Sequence, residues 1–382
     1  MNTKTDIYSV LDDTGIDTRQ DEYLSRIQSV TEADVRRELA IKPGHFSLER
    51  LIVLLSEAGG AFLEDMAQQA HALTLQRFGK TMQLYVPMYV SNYCINRCQY
   101  CGYNADHKFN RSRLTMEQAV QEADAIASAG FRHILILSGE DPKHIDVDYL
   151  AELAKRLRSK FCAIEIEIYP LDTDGYKRLF DAGIDGLSIY QETYNRRLYE
   201  TLHAGPKADY RYRLETPSRA ARAGFRRLGI GALLGLWDWR LETLSLSVHA
   251  AYLMKHHWQS QISFSFPRIR PAQDVEDQPY KHIISDRQFV QMMLALRLCF
   301  ADAGIVVSTR ESSEFRRHLM NLCVTRMSAG SKTNPGGYAV NKEAVCQFEV
   351  DDKSSPQQVA AMIEAAGYEP VWKDWDPAFT AG

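Results

Sequence analysis

The sequence predicts a (βα)₈ barrel of TIM type with an N-terminal helical extension and a short C-terminal closing segment. Three observations lead there. From residue 81 onward, eight short β-branched and aromatic runs alternate with amphipathic helical patterns. The preceding eighty residues carry only helical periodicity. The length of 382 residues, 45% hydrophobic, suits a barrel with additions and a large core. An open doubly wound sheet is the alternative; it needs a strand-order reversal that no sequence feature marks.

The extension spans 1–80. TRQDEYLSRI, TEADVRRELA, SLERLIVLLSEAG and FLEDMAQQAHALTLQRF each place apolar residues at helical spacing, and Thr31 with Asp34 resembles a capping box. The barrel spans 81–340. Its strands are expected at 84–91, 133–138, 163–169, 186–190, 227–234, 261–266, 305–309 and 324–328. Helices are expected at 115–129, 146–158, 172–182, 209–223, 239–255, 285–302 and 312–320. The segment 341–382 opens with polar residues and carries a helix at 356–366, which reads as a closing element rather than a separate domain.

Net charge is −4, which leaves no electrostatic footprint for nucleic acid or an anionic membrane. Basic clusters such as Arg219 to Arg227 sit at helical spacing and read as solvated faces. No apolar run reaches the roughly 18 residues of a membrane span, and the N-terminus lacks the pattern of a signal peptide. A cytoplasmic protein is expected. Three of the seven cysteines fall within eight residues, and in a reducing compartment that pattern reads as metal ligation.

Cys94, Cys98 and Cys101 form CxxxCxxC directly after the first expected strand, on the catalytic face of a barrel. Three thiolates hold three irons of a [4Fe–4S] cubane and leave the fourth iron open for a ligand, as catalytic metal sites require. A structural zinc site completed by His107 or Cys162 is the alternative, although such sites favour paired CxxC spacing. Cys162, Cys299, Cys323 and Cys346 are scattered singly and read as small hydrophobes.

This motif, with Tyr100 before its last cysteine, resembles the radical S-adenosylmethionine superfamily. The string YVSNYCINRCQYCGY is similar to a narrower group of aromatic amino acid lyases. ILSGEDP, IYQETY, GPKADYRYRLETPSRAARAG, SFPRIRPA, STRES, MSAGSKTNPGGY and VWKDWD extend the resemblance to the tyrosine lyases of thiamine biosynthesis, over nearly the whole chain.

The resemblance implies a set of site residues. Ser138, Gly139 and Glu140 would receive the amino group of S-adenosylmethionine, since a glycine admits close backbone approach and a carboxylate suits an amine. Glu192 would accept from the ribose hydroxyls. Arg213 would pair with the cofactor carboxylate, a bidentate task for a guanidinium, with Arg211 as its alternative. Glu165, Glu167 and Tyr169 alternate on one strand face. If that face points inward, Glu167 is a cofactor contact; the alternative is an external, solvated face. Tyr100 and Tyr103 would pack against the adenine or serve the core. Arg310, at the end of the seventh strand, would clamp the substrate carboxylate unless it pairs with Glu311 or Glu314. Ser328, at the end of the eighth, would bind the substrate's amino or carboxylate group, and Tyr93 would line the substrate cavity. Asn334 to Gly337 form a turn that either reverses the chain or closes over the substrate.

The chemistry implied by the resemblance starts with one-electron reduction of the cluster by flavodoxin or ferredoxin. Cleavage of S-adenosylmethionine to methionine and a deoxyadenosyl radical follows. L-tyrosine then loses an amino hydrogen and breaks at Cα–Cβ, yielding p-cresol and 2-iminoacetate, and thiazole synthase is the expected partner. Tryptophan lyases share the pocket logic. Hydrogenase maturases acting on tyrosine carry a further C-terminal cysteine motif, whereas this tail holds only Cys346. Deazaflavin precursor synthases also consume tyrosine, but lack the match to the last two blocks. A non-catalytic iron–sulfur scaffold is the reading from another class; Glu140, Glu192 and Arg213 together oppose it.

Overall fold

The computed structural model describes residues 6–272, 274–275, 280 and 282–373. The end of the VWKDWD string, from Asp374 on, lies outside the described residues.

Six helices precede the barrel: Ile7–Thr14, Gln20–Gln28, Glu32–Leu39, Leu48–Leu54, Glu57–Gly60 and Leu63–Phe78. Thr31 and Asp34 form the expected capping box. The first helix was not expected from the sequence. Asp6 caps it through Ser9 N, and Gly15 ends it in the left-handed region at φ 62°. At eight residues it depends on docking rather than propensity, and Arg196 supplies that by binding Asp12 and Asp17.

Eight parallel strands close into a barrel: β1 (Thr81–Ser91), β2 (His133–Ser138), β3 (Ala163–Glu167), β4 (Gly186–Glu192), β5 (Arg227–Ala232), β6 (Gln261–Ser265), β7 (Gly304–Val307) and β8 (Arg326–Ser328). Neighbours follow chain order, and β1 pairs with both β2 and β8, which excludes the open sheet. A ninth strand, β9 (Glu369–Val371), was not foreseen. It pairs in parallel with the start of β1, Glu369 opposite Thr81, and so fixes the end of the described chain to the barrel's N-terminal rim. The expected helix at 209–223 is broken into Tyr210–Leu214 and Thr216–Arg222. Pro217 sits in the first turn of the second piece, where its missing N–H costs nothing; it cannot continue a preceding helix.

Strand alternation divides the core. Val86, Met88, Ile134, Ile136, Ile164, Ile166, Leu228 and Ile230 join the main apolar cluster with the surrounding helices. The alternate positions face the barrel axis and are largely polar or aromatic, which leaves space at both ends. At the N-terminal end a cavity of about 270 Å³ is lined by Glu165, Arg227 and Arg326 among others. Among the described residues, cavities of about 60, 70 and 80 Å³ at the other end are each smaller, so size does not mark the active site here. Among the described residues, no helix is long and apolar enough to cross a membrane.

Candidate active site

The C-terminal mouth of the barrel is assembled from loops after β1, β2, β4, β7 and β8. The cysteine loop is strapped by its backbone: Ile95 N donates to Glu140 O at 3.2 Å, Arg97 N to Ala204 O at 2.9 Å and Gln99 N to Leu202 O at 3.2 Å. Arg111 donates to the carbonyls of Asn92 and Asn104 from behind. The β2 loop presses against the same segment, where a Cβ on Gly139 would run into the carbonyl of Tyr93. A glycine is needed at 139 because the backbone of the cysteine loop passes there.

Cys94, Cys98 and Cys101 all line one cavity of about 70 Å³. Burial, followed by the neighbouring Glu140, pushes the Cys94 thiol up to about 11. Burial likewise raises Cys98 and Cys101. Thiolates are disfavoured in such a place unless a cation offsets their charge, and iron does so. Among the described residues no three His, Cys, Asp or Glu side chains converge as they would on a single metal ion. The thiolates of a cubane each bind a different iron, so the donor set fits the cluster better than zinc. His107 is occupied by the carbonyl of Gly102, and the Cys162 thiol by that of Arg132 on the barrel's other side.

Beside the cysteines stand two carboxylates and two cations. Glu140 accepts from Arg213 Nη1 at 2.9 Å and from Asn96 Nδ2 at 2.8 Å. Glu192 accepts from Lys207 Nζ at 2.7 Å, and Arg213 Nη2 lies 3.5 Å from it. Burial alone would raise both carboxyls; Arg213 and Lys207 overcome it and hold them below the usual range. Glu192 has a backbone φ of 68°, at a bulge that separates it from the β4–β5 register. A bulge re-aims a side chain, here from the strand face to the cavity. Arg211 is outside this group: it pairs with Asp6 and Glu215 at the surface. Lys207 and Asn96 were missed from sequence. The GPK tripeptide ahead of the arginine block was the available sign for Lys207; a lone Asn between cysteines gave none.

Two further cavities adjoin the first. One of about 60 Å³ is lined by Tyr85, Tyr89, Leu137, Tyr190, Arg310 and Ser328 among others, and one of about 80 Å³ by Tyr100, Lys207, Leu233 and Arg310 among others. Glu167 borders all three cavities. Burial and then Glu192 raise its carboxyl to about 7. Arg310 carries the most informative environment. Its guanidinium packs 3.4 Å from the centroid of Phe348 and reaches the carbonyl of Arg268 at 3.4 Å. No carboxylate lies within ion-pair distance of it among the described residues. Glu311 instead binds Arg268 and Arg270. Burial lowers the Arg310 pKa, as for a cation short of anionic partners.

The other expected residues have their own partners. Tyr93 is not among the residues lining these cavities; its ring stacks on His144 with centroids 3.7 Å apart. Glu165 and Glu167 both face the axis, but one pleat repeat along the strand separates opposite ends of the barrel. Glu165 binds Arg326 and His133 at the N-terminal end, and Tyr169 turns away to the carbonyl of Ile145. The Ser328 hydroxyl accepts from Thr309 N at 3.1 Å, so it also braces the β7 loop. The turn after Asn334 docks outward: Glu122 accepts from the backbone N–H of Tyr338 and Val340. Tyr100 is anchored to His203 at 2.7 Å, and Tyr103 to the carbonyl of Thr333 at 2.7 Å.

Comparison with known proteins agrees with this geometry. Residues 88–245 match the Radical SAM superfamily and residues 265–369 the Biotin and Thiamin Synthesis associated domain. The 2-iminoacetate synthase of Salmonella typhimurium is 41% identical over 358 residues, covering 93% of this chain and 94% of that protein; the Escherichia coli enzyme is 40% identical over the same shares. The chain belongs to the 2-iminoacetate synthase family. Among solved structures, HydG, a maturase of the [FeFe]-hydrogenase, superimposes with a TM-score of 0.86 at 30% identity, covering 96% of this chain and 82% of HydG. Methylornithine synthase, at 22% identity and a TM-score of 0.65, shares the fold. As in the radical SAM superfamily at large, the cofactors of this 2-iminoacetate synthase family member are a [4Fe–4S] cluster and S-adenosylmethionine. Cys94, Cys98 and Cys101 are the three thiols that share one cavity at this mouth.

Proposed function

We propose that this chain cleaves the Cα–Cβ bond of L-tyrosine, giving 2-iminoacetate and p-cresol with methionine and 5′-deoxyadenosine. The observation that carries the reading is Arg310: a buried guanidinium without a carboxylate partner among the described residues, in a tyrosine-lined cavity that adjoins the cysteine cavity. When bound, the reduced cluster and S-adenosylmethionine supply an electron and a carbon radical able to take hydrogen from an amine.

The chain's own residues bind, orient and shield. Glu140 presents a carboxylate to the ammonium of S-adenosylmethionine, and Glu192 acceptor oxygens to its ribose. Arg213 offers a planar fork for its carboxylate. All three are oriented in advance by the network with Lys207 and Asn96. Tyr100 forms an aromatic wall of the neighbouring cavity. Arg310 clamps the amino acid carboxylate, so that the amino group faces the cofactor cavity across Glu167. Ser328 supplies a hydroxyl on the same wall, and Leu135, Leu137, Tyr89 and Tyr190 receive the ring and exclude water. The product imine hydrolyses readily, which favours transfer to a consumer such as thiazole synthase. Flavodoxin or ferredoxin is the matching class of one-electron donor, and a cytoplasmic enzyme would meet these partners.

The test is anaerobic: cluster-reconstituted protein is mixed with dithionite, S-adenosylmethionine and L-tyrosine. The expected products are p-cresol and 5′-deoxyadenosine together. Deoxyadenosine without p-cresol would sink the substrate assignment and make tryptophan the next trial.

A further inference from the structure

The segment after β8 returns across the barrel mouth and packs against the cysteine loop. Gln347 N donates to Thr333 O at 2.9 Å, Thr333 Oγ1 to Phe348 O at 2.9 Å, and Tyr103 OH to Thr333 O at 2.7 Å. A Cβ on Gly102 would meet the Gln347 carbonyl oxygen at 2.7 Å. The residue after the last cluster cysteine is thus a glycine where the returning backbone passes. This contact holds Gln347 against Cys101 independently of its side chain.

The side chain is oriented as well. Tyr89 OH donates to Gln347 Oε1 at 2.7 Å. With the oxygen so engaged, the amide nitrogen faces Cys101 Sγ at 3.7 Å. The opposite amide orientation would put a carbonyl oxygen against an iron-bound thiolate, which is electrostatically unfavourable. Gln347 borders all three mouth cavities. The adjacent Phe348 carries the ring on which Arg310 rests.

We propose that Gln347 is a positioning residue whose N–H···S hydrogen bond to Cys101 raises the reduction potential of the cluster, with Tyr89 setting the donor's direction. The proposal rests on the family reading that Cys101 binds a cluster iron. The reduced cluster carries one more negative charge, shared by its sulfurs. A donor to a ligating sulfur therefore stabilises the reduced state more than the oxidised one, and hydrogen bonds to sulfur are among the determinants of cluster potential. The place of Gln347 on the substrate cavity's wall gives the same bond a second consequence: a ligand that moves Tyr89 or Phe348 alters the potential.

The experiment is an EPR-monitored redox titration of the reconstituted holoenzyme without tyrosine, with iron and sulfide content measured alongside. Gln347→Leu removes the donor, and Gln347→Glu keeps the shape while removing the N–H. Both are expected to lower the reduced-to-oxidised ratio at a fixed potential about tenfold, equivalent to a midpoint lower by about 59 mV for a one-electron couple. Iron content should stay at the wild-type value. Tyr89→Phe, which frees the amide, should shift the midpoint in the same direction by less. Unchanged midpoints in both Gln347 variants at full loading would overturn the proposal. So would loss of iron from both, because a residue that only donates to sulfur is not required for assembly. The titration needs no turnover, so a failed p-cresol assay would leave it standing. Wild-type protein that binds no four-iron cluster would remove the family reading beneath it instead.

Discussion

Replacing Arg310 tests whether its isolation serves a substrate carboxylate. A guanidinium meets a carboxylate with two parallel N–H···O bonds, and a hydrogen bond to a charged group contributes about 1.5–3 kcal/mol. Arg310→Lys keeps the charge and loses one prong of the fork. At 1.4 kcal/mol per factor of ten, the KM for tyrosine should rise roughly 10- to 150-fold. S-adenosylmethionine binding should be unaffected. Arg310→Met should abolish measurable saturation by tyrosine. The stability of that second variant is the sharper test. In the unliganded protein Arg310 has no carboxylate to lose, only its contact with Phe348 and a long hydrogen bond to Arg268 O. A cation–π contact contributes about 0.5–2 kcal/mol, and removing a buried cation recovers a desolvation cost of comparable size. Methionine fills similar space. The thermal midpoint of Arg310→Met, measured by differential scanning fluorimetry without tyrosine, should therefore stay within about 3 °C of wild type, since for a chain of this size 1 kcal/mol shifts Tm by no more than about 2–4 °C. A large fall in midpoint, with the KM of Arg310→Lys unchanged, would show that Arg310 is a structural brace and refute the reasoning.

Two other outcomes follow from the ion networks. Glu140→Gln removes the carboxylate shared by Arg213 and Asn96 and leaves a net positive cluster where the proposed function seats an ammonium. The Kd of reconstituted protein for S-adenosylmethionine, measured by calorimetry, should rise roughly 10- to 100-fold, from the loss of one charged hydrogen bond; an unchanged Kd would remove Glu140 from the cofactor site. At the other end of the barrel, burial and then Arg326 lower His133 to about 3, against 6.5 in an unfolded chain. It is packed among Glu165, Arg326, Arg227 and the ring of Tyr85. Between those two values the unfolded chain binds a proton that the native one refuses. Stability should therefore fall as pH drops below 6.5, by up to about 1.4 kcal/mol per pH unit. Glu165, held well below its usual value by Arg326 against the effect of burial, adds a loss of the same sign below 4.5. Denaturant titrations at pH 7 and pH 5 should show a smaller difference for His133→Asn than for wild type; equal differences would contradict a neutral native His133.

Much of the site was legible because its residues lie at chain positions that the barrel rule makes meaningful. Cysteines after the first strand, Glu140 after the second, Glu192 after the fourth and Arg310 after the seventh all fall on one face by that rule. What misled was period without depth. Alternation correctly put Glu165 and Glu167 on one face, yet a strand crosses the whole barrel, and two residues of rise separate a structural ion network from the cofactor cavity. Adjacency to Cys94 likewise says nothing about which way the Tyr93 ring turns; it stacks on His144 from the β2 loop.

Strand–helix alternation and motif spacing are local properties of the chain, so the barrel, the cysteine cluster and the charged residues at the exits of β2, β4 and β7 could be read from it directly. Tertiary structure alone decided which charges pair. Arg310 could be read as a partner of Glu311 until Arg268 and Arg270 were seen to occupy that carboxylate. Lys207, Asn96 and Gln347 acquire their places from contacts with Glu192, Glu140 and Cys101 that are 15, 44 and 246 positions away in the chain. The two longer contacts arise only when the barrel closes and brings its loops to one rim, and for Lys207 the GPK tripeptide marks the residue but not its partner.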